Sequence, residues 1–505
     1  MWVFIPKWKW RIFMHQDILN KVLEIGISLS AEKDYHRLLE TILARVMEIT
    51  HCDAGTLYLM DGDSLRFKIM RNDTMKTYQG GDGKDPELPP VKLTRESVCA
   101  LAILEDKTIC IDDVRHCDEY DLSGPIRYDA ITGYYTCSML VVPMKNREGE
   151  QIGVLQLINA QDKDGNICGF AKELTQVVEA IASEAAIAIQ NVRYLDEIHG
   201  LFNSFVQVMS SAVDERTPYN LSHTKHMAEY GDRFIDYINQ CCKDRGMEIP
   251  FSPAHKEELL MSVWLHDIGK LVTPLGVMNK DARLRPDQAE ALDRRLERAE
   301  LVAQIRELKG EITSEEKTKV FAEIKKIREL IQNVDHAGFI RDELVAEIDE
   351  VKTMTYVEKD GSIHPWLTED EYTALTIRKG TLSNAERSIM ESHVVITDKL
   401  LSKIKFSKEL AHVREWAASH HELLNGTGYP NHLSGDQIPY EVRIITILDI
   451  FDALVADDRP YKPGMPIDRA LTILTAMAEK EGKLDPKLTK LFVESRCWEN
   501  KEISE

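Results

Sequence analysis

From Asp17 to about Thr50 the apolar residues recur at helical spacing: Ile18, Val22 and Ile25, then Leu38, Leu39, Ile42, Val46 and Ile49. The period then changes. Thr56 to Met60 reads as a strand and Asp61-Gly62-Asp63 as a turn. Leu65, Phe67 and Ile69 then alternate with Arg66 and Lys68, as in a half-buried strand. A second hairpin is predicted from Ser138–Pro143, through a polar turn ending at Gly149, to Ile152–Ile158. Glu173 to about Ser211 returns to helical periodicity, with Gly200 as its one breaker. Helix, antiparallel sheet, helix describes an α+β domain of sensor size.

After about Ile198 the pattern is mainly helical. Pro286 to Met354 is dense in Glu, Lys, Arg and Leu, with helix starts at Pro286 and at Thr313-Ser-Glu-Glu316. It predicts a charged helical hairpin projecting from the body. Tyr356 to Leu367, centred on Asp360-Gly361, predicts a small β-hairpin. The expected division is an extension at 1–16, an α+β domain at 17–195 and a helical domain at 196–505 with an insertion at about 284–376.

Composition narrows the function. A chain of 505 residues with 43% hydrophobic content is too long for one ordinary core. A formal net charge of -21 excludes a protein that coats DNA or RNA, because phosphate binding needs a basic footprint. A small phosphate ester held by metal ions stays open. The nine cysteines include no Cys-x-x-Cys pair and are read as reduced thiols of a cytoplasmic protein. No run approaches the roughly 20 apolar residues that span a bilayer. Met1–Arg11 sets Trp2, Trp8 and Trp10 beside Lys7, Lys9 and Arg11. It reads either as a segment for a membrane interface or as residues preceding a true start at Met14. The second is preferred because the regular pattern begins just after it.

The candidate chemistry lies in the second half. His266-Asp267 ends the apolar run Leu259–Leu265 and is followed by Ile-Gly-Lys270. His420 and His421 open Ser-His-His-Glu-Leu-Leu-Asn-Gly-Thr-Gly-Tyr-Pro430, Asp449 ends the apolar run from Ile444, and His223 lies near the start of a helix. Neutral imidazoles with at least one bridging carboxylate are what a pair of divalent ions requires. His255 and His364 read as satisfied structural histidines, and His226 and His412 lean the same way.

Two family resemblances follow from these residues. Asp53-Ala-Gly-Thr-Leu-Tyr58, Gly133–Met139 and Gly153–Asn159 resemble a GAF domain over about residues 17 to 195. Cyclic-nucleotide-binding members of that family carry Asn-Lys and then Phe after the last strand. Asn159 and Phe170 are present here, but Ala160 stands where Lys is expected, so the GAF ligand is left unknown. His116 beside Cys117 would permit haem but reads as a solvated loop histidine. The helical half resembles an HD-GYP domain of the HD phosphohydrolase superfamily, through His266–Lys270, Ile389–His393, His420-His421-Glu422, Gly428-Tyr429-Pro430, Asp449–Leu454 and Asp458–Lys462.

The second resemblance implies an all-α domain in which His223, His266, Asp267 and Asp449 hold one metal. Asp267 would bridge to a second ion on His393, His420 and His421. Iron or manganese is the implied metal. Three-metal members carry a Glu one turn before the first histidine, where this chain has Tyr219, so two ions are expected; Glu215 would serve only from an irregular helix start. The implied reaction is hydrolysis of cyclic di-GMP to linear pGpG, and on to GMP in some members, by a metal-activated water, with Lys270 offsetting phosphoryl charge. Gly428, Tyr429, Pro430, Arg459 and Lys462 are the implied substrate contacts. Another cyclic dinucleotide such as cyclic GMP-AMP, a catalytically weak dinucleotide receptor, and a general HD nucleotidase are the alternatives. The 173–211 helix is expected to join sensor to catalyst and to pair in a homodimer. A signalling protein would dock at the Gly-Tyr-Pro loop or on the inserted hairpin.

Overall fold

The computed structural model describes residues 22–32, 34–81, 84–216, 222–248, 250–456 and 464–499. The chain divides into two compact units, Met1–Phe202 and Asn203–Glu505.

In the first unit, helix α1 (22–31) and helix α2 (Tyr35–Thr50) replace the single predicted helical stretch. The break is at Asp34, whose carboxylate caps α2 by accepting from Arg37 N at 2.8 Å. The strands are β1 (Cys52–Asp61), β2 (Ser64–Asn72), β3 (Thr77–Gln79), β4 (Val91–Lys92), β5 (Ile109–Ile111), β6 (Met139–Lys145), β7 (Gln151–Gln161) and β8 (Ile167–Cys168). They form one antiparallel sheet in the order β3-β2-β1-β7-β6-β5, with β4 on β2 and β8 on β7. Helices α3 (Val98–Leu104) and α4 (Ser123–Thr132) lie between β4 and β6 in sequence. The central strand β1 is buried along almost its whole length because both sheet faces are covered. Leu57 and Leu59 pack into a core with α2 and with the first part of helix α5 (Lys172–Asp214). Tyr58, between them, points to a second core built on α3.

The second unit is helical. Helices α6 (His223–Asp244), α7 (Pro253–Leu265), α16 (Tyr440–Val455), α17 (Ile467–Glu479) and α18 (Pro486–Ser495) share one core with Trp416 of α15 (Val413–Ala418). Ile444, Ile445, Ile447, Leu448 and Phe451 of α16 are fully buried, so α16 is the central helix, apolar on almost every side. Burial of side chains of this kind stabilises by roughly 1.5–3 kcal/mol each. The turn at Ile268–Val272, the short helix α8 (Leu275–Met278), α13 (Asn384–Glu391) and α14 (His393–Leu401) complete the frame.

Between α8 and α13 the chain departs from the expected charged hairpin. Helices α9 (Pro286–Leu308), α10 (Ser314–Val334), α11 (Asp342–Thr353) and α12 (Glu369–Leu375), with the predicted β-hairpin β9 (Thr355–Val357) and β10 (Ile363–Pro365), enclose a hydrophobic core of their own. Trp366 is fully buried there, stacked on Tyr356 at 4.7 Å. Arg295 holds the buried Glu371 through two hydrogen bonds at 2.9 and 3.1 Å. The base is closed by Arg283, also fully buried, which donates to Ile377 O at 2.9 Å and to the carbonyls of Val334 and Ala337. Among the described residues no helix is long and apolar enough to cross a membrane.

Replacing Arg283 with Leu leaves those buried carbonyls without their donor. The expected loss is roughly 2–4 kcal/mol of stability, read as a lower urea midpoint by tryptophan fluorescence. An unchanged midpoint would show that the clasp contributes nothing.

Candidate metal centre

Three buried histidines share one local device. His266 follows the last turn of α7, His393 opens α14 and His420 lies just past α15. Each sets its Nδ1 at 2.7 Å from the carbonyl three residues earlier, at Val263, Met390 and Ala417 respectively. A carbonyl only accepts, so Nδ1 carries the proton and each Nε2 keeps its lone pair. The three rings are 0–1% exposed, which leaves those lone pairs no water to meet. The Nε2 of His393 and that of His420 are 3.5 Å apart, and the Nε2 of His266 has no hydrogen-bond partner.

Asp267 lies at the middle of this arrangement. Its Oδ1 is 3.4 Å from His393 Nε2 and 3.8 Å from His420 Nε2. Its Oδ2 is 3.2 Å from His266 Nε2 and 3.9 Å from His223 Nε2. Lys270 pairs with Oδ2, whereas Oδ1 is buried with no hydrogen-bond partner. Two ligand trios result, His393–His420–His421 and His223–His266–Asp267, each with its donor atoms within 4.8 Å of one another. Asp449 stands against both: Oδ1 is 3.3 Å from His223 Nε2 and Oδ2 is 3.6 Å from His421 Nδ1. An orphaned carboxylate oxygen among orphaned imidazole lone pairs is a donor set that suits divalent cations.

The protonation states agree with that use. Burial pushes His393 down, His420 well below its ordinary value and His421 down to about 4, so all three are neutral near pH 7. His223 goes the other way. Burial lowers it, but the hydrogen bonds its ring donates to Asp449 and Asp452 win and hold it at about 10. Its second proton stands between Nε2 and Asp449, where a cation would sit, so metal binding there displaces a proton. Burial opposes ionisation of Asp267, yet the Lys270 ammonium paired with it helps keep its carboxyl well below the usual range.

Several contacts hold the ligands in place. Thr397 Oγ1 donates to His266 O and accepts from Gly269 N, each at 3.0 Å, which ties the His266–Lys270 turn to α14. A Cβ on Gly269 would lie 1.9 Å from His393 O, so only glycine allows this approach. Arg216 donates to Lys270 O at 2.7 Å and to Thr273 O at 3.2 Å on the same turn. Asp452 was not singled out from the sequence as a functional residue. Its Oδ2 is 2.6 Å from His223 Nδ1, and its spacing of three from Asp449 on one helix face was the available signal. Glu422 is fully buried and accepts from Asn431 N at 2.7 Å and Leu433 N at 2.9 Å, which fixes the loop carrying Gly428, Tyr429 and Pro430.

The close approach at Gly428 is to its own chain, because a Cβ there would meet Leu423 N at 2.3 Å and His421 O at 2.5 Å. Tyr429 lies against the His421 ring at 4.8 Å, and Tyr429-Pro430 is a cis peptide. Arg459, Lys462 and Tyr219 lie outside the described residues, and Glu215 is exposed. The histidines read from the sequence as structural have ordinary partners: His255 with Glu441 at 2.8 Å, His364 with Ser362 at 2.8 Å, His412 with Glu258 at 3.1 Å and His226 with Asp452 at 3.5 Å. His116 is exposed and bonds Asp113 at 2.7 Å.

Comparison with known proteins covers both units. Residues 34–189 match the family model of the GAF domain, and residues 370–488 match that of the HD domain. Among curated proteins, 101 residues are 46% identical to the 3'3'-cGAMP-specific phosphodiesterase 3 of Vibrio cholerae, spanning 20% of this chain and 21% of that protein. A 118-residue stretch is 41% identical to the 3'3'-cGAMP-specific phosphodiesterase 2 of the same organism, spanning 23% of this chain and 22% of that one. A further 171 residues are 31% identical to the cyclic di-GMP phosphodiesterase response regulator RpfG of Xanthomonas campestris, spanning 33% of this chain and 43% of that protein. The chain therefore covers less than half the length of each of these relatives.

Asp452→Ala is expected to free the His223 ring and weaken metal binding by roughly 10–100-fold, read by competition with a chelator. Undiminished affinity would remove Asp452 from the site. Metal affinity should fall as the pH drops below about 10, where a proton on His223 competes with the cation, and fall more steeply toward about 4, where His421 protonates as well.

Proposed function

We propose that this chain, a GAF domain followed by an HD domain, is a metal-dependent phosphodiesterase that hydrolyses cyclic di-GMP to linear pGpG under control of the GAF domain. The observation that carries the reading is Asp267, whose two oxygens face different histidine groups, with one of them unpartnered. Such a carboxylate has no structural task that a hydrogen-bonded residue would not do better. Its use is to bridge two cations.

His223, His266, Asp267 and Asp449 would hold one ion, and Asp267, His393, His420 and His421 the other. Iron or manganese suits this mix of imidazole and carboxylate. Two such ions supply an activated water and neutralise charge on the phosphodiester. The protein's own part is positional. Lys270 keeps Asp267 ionised and stands ready to offset phosphoryl charge. Tyr429, its phenol pushed far up by burial and so a neutral donor, walls the His421 side. Arg459 and Lys462 are assigned to substrate phosphate on resemblance alone. A second reading, 3'3'-cGAMP as substrate, is favoured by the 46% identity to a phosphodiesterase specific for it. The free cysteines fit a reducing compartment such as the cytoplasm.

We further propose a homodimer through α5. Tyr194, Ile198, Leu201, Phe205 and Val208 follow one another at steps of four and three, and each is half or more exposed. That is the seam of a two-stranded coiled coil.

Anaerobically purified protein is expected to carry about two metal ions per chain and to linearise cyclic di-GMP, 3'3'-cGAMP or both. Asp267→Ala should lose metal and turnover together. A variant with normal metal content and activity would sink the assignment. Light scattering should give a dimer, and Leu201→Glu with Phe205→Glu a monomer; a wild-type monomer at micromolar concentration would refute the pairing.

A further inference from the structure

The end of α5 reaches each element that carries a ligand of one metal trio. Ser210, buried near the end of α5, donates through Oγ to Trp264 O, two residues before His266. Asp214, the final residue of α5 and also buried, accepts from Thr224 N at 3.2 Å and from Thr224 Oγ1 at 3.1 Å, beside His223. Arg216 donates through Nη1 to Lys270 O at 2.7 Å and to Leu271 O, and through Nη2 to Thr273 O at 3.2 Å. The turn it holds begins directly after Asp267.

Two of these ties meet backbone groups that a helix leaves unpaired. The last carbonyls of α7 and the first N–H groups of α6 have no partner within their own helix. Trp264 O is one of the former and Thr224 N one of the latter. Ser222, which precedes α6, makes no side-chain cap, so Asp214 fills that role from 10 positions away. Arg216 gathers three carbonyls of one turn, a task that suits a planar fork of donors better than an ammonium.

These hydrogen bonds fall on one side of the site. His266 and Asp267 are consecutive and are held upstream at Trp264 and downstream at Lys270, while His223 is held at Thr224. On the other side, His393 and His420 are fixed by carbonyls of their own elements, at Met390 and Ala417. A hydrogen bond is lost when its atoms part by about another 1 Å. Packed helices shift by about 1–2 Å between alternative states. The same helix buries Ile181, Ala185 and Ile189 in the GAF core, so a change in that core acts on α5 directly.

We propose that Ser210, Asp214 and Arg216 are positioning residues for the ion on His223, His266 and Asp267, and that a shift of α5 loosens this ion while the one on His393, His420 and His421 stays bound. The proposal deepens the two-ion reading of the site and rests on it. Asp267 faces both ions, but the second keeps three histidines of its own. A signal in the GAF domain thereby converts a two-ion centre into a one-ion centre, which holds metal yet lacks the paired clamp on a phosphodiester.

The test is a titration of the metal-stripped full-length chain with Mn²⁺, followed by equilibrium dialysis and electron paramagnetic resonance. The wild type should bind in two steps, with the six-line signal of a lone Mn²⁺ giving way to that of a coupled pair. His421→Ala marks the step that belongs to the other ion. Arg216→Ala and Asp214→Ala should each weaken the opposite step by about tenfold or more, leave the His421 step unmoved and retain the six-line signal to higher Mn²⁺. Arg216→Lys, which returns one donor, should recover part of the loss. The unmoved step shows that each variant folds, and Ser210→Ala, the mildest change, should shift the same step in the same direction. A wild type that binds fewer than two ions would refute the two-ion reading and the inference together. Two steps in the wild type, with variants that move both steps, the His421 step alone or neither, would overturn the inference and leave that reading standing.

Discussion

Everything in the second unit is arranged around a carboxylate that would otherwise be intolerable. An ionised Asp267 at 4% exposure, with one oxygen unpartnered, would cost several kcal/mol if nothing offset it. Lys270 offsets part of that cost, and the surrounding imidazoles are held so that they cannot turn away. The backbone does the holding. A histidine just past a helix end finds a free carbonyl three residues back, because the last turn of a helix leaves its carbonyls unpaired. Placing His266, His393 and His420 at such ends removes the choice of tautomer. The site is thereby preorganised by helix termini as much as by side-chain packing.

Precision comes from the neighbours of the ligands. Gly269 lets one helix end touch the start of another, Thr397 joins them with two hydrogen bonds, and Asp452 holds the back of His223. None of these residues offers an atom to a cation. They convert a loose collection of donors into a fixed one.

Much of this was legible in the sequence, and the gaps have physical reasons. The adjacent histidines, the His-Asp pair and the carboxylate ending an apolar helix are chemistry written in residue type. The long strands β1, β2, β6 and β7 and the helix α5 announced themselves through period. Strands β3, β4, β5 and β8, at two or three residues each, are too short to display one. Within the 284–376 region, Pro286 to Met354 was read as a projecting charged hairpin because Glu, Lys, Arg and Leu are dense along it. Yet Leu292, Leu296, Ala299, Ile324 and Ile327 lie at three- and four-residue steps and are all buried. Arg283 ran against expectation in the other sense, since a charged side chain at zero exposure is rare. At Gly428 the missing side chain makes room for the chain's own backbone at His421 and Leu423, a contact that no local sequence pattern announces.

The Arg283 clasp also bears on how so much extra chain is tolerated between two halves of one site. The guanidinium of residue 283 reaches the carbonyl of Ile377, 94 positions away, so the inserted block leaves and re-enters the helical frame at nearly the same point. A block whose ends meet imposes little loop-closure entropy on its host once it has folded. The His266–Asp267 corner and the His393 helix are therefore brought together by a connection that behaves, thermodynamically, like a tight turn. Such a seam is where a genome can splice in or remove a module without disturbing the chemistry on either side.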